Sequence, residues 1–125
     1  MKLIEFTKLF NLHDSVINNL TYIPNQFRLR LEIDLCNYDQ SWFKQNDPEI
    51  VTGFIEFTEV TAYEIEPQIN CSEEINGSIL NVSDVADNCL KIVFTTSEVQ
   101  SNYSIITNTF VLLVTAESVQ WKSVR

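Results

Sequence analysis

Glycine and histidine are scarce in this chain of 125 residues, with two of the first and one of the second. Isolated Gly53 and Gly77 cannot form the glycine-rich turns that cradle phosphates or dinucleotides, nor a Gly-x-Ser-x-Gly nucleophile elbow. A lone His13 leaves no second imidazole for a metal centre, and no Ca²⁺-loop pattern accompanies the carboxylates. No metal or cofactor is therefore expected. Cys36, Cys71 and Cys89 are odd in number and far apart, which fits neither a disulfide framework nor a zinc knuckle. They read as three reduced, mostly buried thiols. The longest apolar run, Phe110-Val111-Leu112-Leu113-Val114, falls far short of the ~20 residues of a spanning helix. Met1–Ile4 is followed by Glu5, Lys8 and Asp14, which leaves no apolar signal region, so the expected location is the cytoplasm.

The most telling absence is positive charge. From Gln45 to Leu90 there is no Lys or Arg, while Asp47, Glu49, Glu56, Glu59, Glu64, Glu66, Glu73, Glu74, Asp84 and Asp87 all fall there. Apolar Ile55, Phe57, Val60, Tyr63 and Ile65 are interleaved with them, so this charge sits on folded structure rather than on an acidic tail. A formal charge of −9 argues against nucleic acid, whose phosphates require clustered Lys and Arg, and against an anionic membrane surface. It favours rapid encounter with a basic protein.

What is present is strand-forming sequence, enough for one domain over 1–125. Phe27–Leu35 alternates apolar and charged residues without a fault, the period of a strand with one wet face. Ser15–Ile23 precedes it across Pro24-Asn25-Gln26, so the two form a β-hairpin. Ile4, Phe6, Leu9 and Phe10 fit a short helical turn or an edge strand, the helical turn being favoured, and Cys36–Pro48 reads as a polar loop holding Trp42 and Phe43. Further strands are expected over Ile50–Val60, with Gly53 a bulge or close approach, and over Thr61–Glu66, Ile79–Val82 and Cys89–Thr95. Tyr103–Thr115 and Ser118–Val124 complete the set, the latter turning Val119 and Trp121 to one face. Gln68–Ser78 reads as turn, with a helical turn at Glu73-Glu74-Ile75, as do Ser83–Asn88 and Ser97–Asn102. The fold class is mainly β, with about eight antiparallel strands as a sandwich, a half-open barrel or one strongly curved sheet.

Two groups of residues stand out as candidate sites. Glu56, Glu59, Glu64 and Glu66 form a carboxylate series that would steer a cationic protein, with Trp42 as an aromatic anchor slowing its release. The same carboxylates also read as a solvated face, and Trp42 as a side chain folded back onto the sheet. The second group is Leu12-His13-Asp14-Ser15. Adjacent His and Asp occur in metal-dependent phosphohydrolases, but those need further ligands on helices that a β-rich chain with one histidine lacks. Asp14 and Ser15 are good turn residues leading into the first strand.

Leu12-His13-Asp14-Ser15-x-Ile17, followed by a strand, a turn and the alternating strand Phe27–Leu35, resembles small bacterial β-rich proteins with an N-terminal Leu/Phe-His-Asp-Ser/Ala motif. Some of these are grouped with immunity proteins of polymorphic toxin systems, the immunity protein 50 type among them. The resemblance covers Leu12–Leu35 and implies a cytoplasmic, non-catalytic protein that binds and blocks a toxin, with His13 and Asp14 the positions carried over. The leading expectation is thus a non-enzymatic acidic binding protein with a basic partner. The alternatives are a ligand binder or enzyme using a cavity near His13 and Asp14, and a self-assembling module whose strands offer edges.

Overall fold

A computed structural model describes residues 1–68 and 75–124. It is mainly β, as the alternation requires, and the described residues form one α-helix, α1 (Leu3–Leu9), two single 3-10 turns (Pro24–Gln26 and Asn37–Asp39) and six strands: β1 (Val16–Ile23), β2 (Arg28–Cys36), β3 (Ile50–Glu66), β4 (Gly77–Ala86), β5 (Cys89–Val99) and β6 (Ile105–Ser123). All neighbouring strands are antiparallel and close into a barrel in the order β1-β2-β3-β6-β5-β4. The segment read as Glu73-Glu74-Ile75 and Cys71 lie largely outside the described residues, with only Ile75 inside them.

Six strands replace the expected eight because two pairs are continuous. Ile50–Val60 and Thr61–Glu66 are one strand, β3, and Tyr103–Thr115 and Ser118–Val124 share β6, which starts at Ile105. The alternation breaks inside each strand without the strand ending. Inward residues run Ile55 and Phe57, then Val60, then Ile65 on β3, and Leu112, Val114 and Ala116, then Val119 on β6. Glu59 takes a left-handed backbone (φ 51°), and the β3–β6 register shifts between Val60 and Ala62. Such bulges bend a strand and raise its twist, which is how two long strands wrap round a closed barrel. The expected turns at Ser83–Asn88 and Ser97–Asn102 are displaced in the same way, since β4 runs on to Ala86 and β5 to Val99.

The core is one cluster. Leu29, Leu31 and Ile33 of β2 meet Ile55 and Phe57 of β3, Ile92 and Phe94 of β5, and Leu112, Val114 and Val119 of β6. From α1, Leu3 and Phe6 join this cluster. Phe6 stacks on Phe10 at 4.4 Å, and Phe10 meets the edge of Trp42 at 5.1 Å. Trp121, expected in the core, packs against it while partly buried.

Gly53 is a close approach rather than a bulge. A Cβ there would lie 2.6 Å from the Lys122 carbonyl oxygen and 2.6 Å from the Trp121 ring. Backbone cannot yield as a side-chain tip does. Gly53→Ala is expected to destabilise the fold by about 1–3 kcal/mol through overpacking against β6, read as a lower midpoint of urea unfolding.

Candidate functional site

The Leu12–Ser15 motif forms the turn that completes the barrel. Among the described residues β1 and β4 share two paired positions, Val16 with Ser78 and Ile17 with Gly77, and the Ile75 N–H adds a bond to the Asn18 carbonyl at 2.9 Å. The motif extends that seam: Ser15 N–H donates to the Leu12 carbonyl at 3.0 Å, Asp14 N–H to the Ile79 carbonyl at 3.0 Å, and Ile79 N–H to the Ser15 carbonyl at 2.8 Å. Asp14 sits at φ 67°, a left-handed conformation that Asp tolerates better than most residues. On the other side, the buried Ser15 Oγ accepts the Cys36 N–H at 3.0 Å, and the Cys36 thiol donates to the Asp14 carbonyl at 3.2 Å. Backbone and hydroxyl therefore bridge β2 and β4. The His13 imidazole takes no part: it is exposed, with Nδ1 3.2 Å from the equally exposed Asp14 carboxylate.

His13 also borders a cleft of about 360 Å³ between α1, the motif and β4, with Lys8, Asn11, Asp39, Gln40 and Leu80 among its walls. Its buried amide, Gln40, is fully engaged: Nε2 donates to the Asn11 and Cys36 carbonyls at 2.6 and 2.9 Å, and Oε1 accepts the Asn11 N–H at 2.9 Å. Among the described residues no group of three His, Cys, Asp or Glu side chains is placed to hold a metal ion.

The carboxylate series divides. Glu59, Glu64 and Glu66 are exposed on β3, and Glu64 and Glu66 follow one another on its outer face beside Leu113 and Val111. Glu56 does not belong with them. It retains 0% of its side-chain surface, because the outer face of β3 is overlaid there by long side chains from both flanking strands. Arg28 Nη1 meets its Oε1 at 2.8 Å, Arg30 meets Oε2 through Nε at 3.1 Å and Nη2 at 2.9 Å, and Lys122 Nζ lies 3.4 Å from Oε1. A buried carboxylate with three cations over it cannot steer a partner, which corrects the expectation for Glu56. The register made this visible in principle, since Arg30, Glu56 and Gln120 share one rung. The sequence alone gave no pairing between β2 and β3.

Trp42 lies between its two expectations. It is 40% exposed, yet its Nε1–H donates to Asn37 Oδ1 at 3.1 Å and its ring meets Phe10. Asn37 is itself anchored through its Nδ2–H to the Pro48 carbonyl at 2.8 Å, so the loop holds the partly exposed indole in place.

Burial alone would push the Glu56 carboxyl up, but the Arg30 hydrogen bond and the Lys122 ammonium outweigh it and hold it below its ordinary value of 4.5. The unfolded chain then binds the proton more readily than the folded one. Ionised Glu56 contributes its full stabilisation above the unfolded value and loses it as pH falls through the lowered folded value. Because the three cations are half exposed and solvated, Glu56→Gln is expected to cost about 1–3 kcal/mol near neutral pH. In urea unfolding followed against pH, the gap between wild type and E56Q should stay constant above about pH 5 and shrink below it. A gap independent of pH would show that shape, not charge, holds the cluster. At the seam, Ser15→Ala should cost about 1–3 kcal/mol by leaving the buried Cys36 N–H unpaired. His13→Ala should change stability by less than about 0.5 kcal/mol.

No family model matches the chain, and no curated protein or solved structure matches it. Among the described residues no helix is long and apolar enough to cross a membrane.

Proposed function

We propose that this protein is a non-enzymatic binding module that receives a basic protein on its acidic surface, in the manner of an immunity protein blocking a toxin in the cytoplasm. One observation carries the reading: among the described residues, every Lys or Arg ion pair ends on Glu56. Three of the chain's eight basic residues are gathered over that one carboxylate, which leaves their patch positive by two charges. The formal −9 therefore understates how acidic the rest of the molecule is. Glu59, Glu64 and Glu66 face solvent with no cation paired to them among the described residues, so their field reaches outward. A nuclease toxin with a phosphate-binding cleft has the complementary charge. The exposed part of Trp42 supplies an apolar contact of the kind that slows dissociation. The resemblance carried by Leu12–Ser15 agrees with this reading in kind.

The cleft beside His13 favours a second reading, a small polar ligand held between α1 and β4. The two differ in their demands. A ligand site needs His13, whereas the acidic surface does not.

The test is association with a basic partner obtained by capture at low salt. The association rate should fall by about tenfold or more between roughly 50 and 500 mM salt. The E59Q/E64Q/E66Q triple variant should reproduce most of that loss at low salt while His13→Ala leaves it unchanged. Affinity that is flat with salt and indifferent to the triple variant would overturn the proposal.

A further inference from the structure

The hairpin formed by the end of β5 and the start of β6 extends past its neighbours. On one side β4 reaches no further along β5 than Ser78 opposite Thr95. On the other, β3 reaches no further along β6 than Glu66 opposite Val111. Between these limits the two strands pair only with each other, from Thr96 with Asn108 to Val99 with Ile105, so among the described residues both outer edges of the arm lack a strand. The stacked rings of Phe94 and Phe110, 5.3 Å apart, close the core at the base of the arm. Beyond them the arm is exposed: Val99 to 68%, Tyr103 to 89%, Ile105 to 68% and Ile106 to 45%.

Its composition departs from that of the rest of the surface. From Val99 to Ala116 there is no charged residue, no proline and no glycine. The β6 edge reads Ile105-Ile106-Thr107-Asn108-Thr109, four of its five residues β-branched. Free edges in soluble proteins are ordinarily blunted by Lys, proline or a bulge, and this one carries none of these. An isolated two-stranded ribbon is also marginal in water and gains from a third and fourth strand.

We propose that this arm is a self-association surface, in which the β6 edge Ile105–Thr109 pairs antiparallel with the same edge of a second copy across a two-fold axis. Electrostatics selects this occupant. Two copies at −9 each repel over their acidic surfaces, and the arm is an exposed strip where they meet without opposing like charges, Glu98 being its one carboxylate. A two-fold contact requires a self-complementary patch, and an uncharged β-branched strand satisfies that in antiparallel register, with Ile and Thr side chains meeting their equivalents. A basic partner would gain nothing from this strip, so the inference stands apart from the acidic-surface reading. The result joins two hairpins into a four-stranded ribbon between two barrels.

Sedimentation velocity on the full chain from about 1 to 500 µM tests it. The expected result is a concentration-dependent dimer that strengthens as salt rises, because screening relieves repulsion and leaves the uncharged contact intact. This is opposite in sign to the salt response expected of an acidic surface on a basic partner, so the two readings fail separately. I105K/T107K should raise the dimer dissociation constant by about tenfold or more, leaving the melting temperature at low concentration unchanged because both residues are exposed. Hydrogen exchange should show amides within Ile105–Thr109 slowing as the dimer forms. A monomer throughout the range, a dimer indifferent to I105K/T107K, or I105K/T107K abolishing capture of a different protein by a monomeric chain would each overturn the proposal.

Discussion

Closure of the barrel at its β1–β4 seam is the constraint from which the other features follow. Five of the six interfaces between neighbouring strands are long ladders, whereas among the described residues the sixth has two paired positions and one bond from Ile75 to Asn18. The turn Leu12–Ser15 supplies what the seam lacks, with two backbone bonds to Ile79 and a buried hydroxyl on Cys36. Gly77 belongs to the same device, since a Cβ there would fall 2.5 Å from the Phe94 ring, so only glycine lets β4 start this close to the core. A short seam is a natural weak point, and the chain reinforces it with bonds from outside the ladder.

Closure also dictates the shapes of β3 and β6. A sheet of few strands closes only if its longest members bend strongly, and both do so near Glu59–Ala62 and Ala116–Val119, where inward and outward faces exchange. The outer side of β3 just before that bend carries Glu56. Arg28 and Arg30 reach it from β2 and Lys122 from β6, so one carboxylate ties three adjacent strands on the face opposite the core. The arrangement is asymmetric in worth. Its charges are partly wet and contribute modestly as a set, yet removing the central anion leaves three cations crowded together.

The legible parts of this fold were those with clean local signals. Phe27–Leu35 announced β2 and Pro24-Asn25-Gln26 the turn before it, whereas Ile4, Phe6, Leu9 and Phe10 followed neither period cleanly, and the structure forms the helix Leu3–Leu9 there. What misled were positions where tertiary geometry overrides the period. A bulge shifts the alternation by one residue, and in one dimension that is indistinguishable from one strand ending and another beginning. Thr61–Glu66 was separated from its strand for that reason, and on β6 the three-residue step between buried Ala116 and Val119 had the same effect on the period. The candidate site divided along the same line. Glu59, Glu64 and Glu66 needed only exposure to be read correctly as surface charge. Glu56 has the same residue type in the same acidic run, and its burial depends on which strands flank it. For His13-Asp14-Ser15, turn chemistry was the informative property, carried by the backbone of Asp14 and the hydroxyl of Ser15 rather than by the imidazole.

Gathering cations over Glu56 has a consequence at the scale of the whole molecule. With Arg28, Arg30 and Lys122 committed to one face, the exposed carboxylates of β3 lack counter-charges among the described residues, and the reach from Val99 to Ala116 carries no charge of either sign. The surface thus separates into a compact positive patch, an acidic expanse and an arm that is nearly free of charge. The charged regions each exclude a class of contact: anions from the expanse and basic proteins from the patch. Such separation favours two independent contacts at once, because the interaction that salt weakens and the one that salt strengthens occupy different strands.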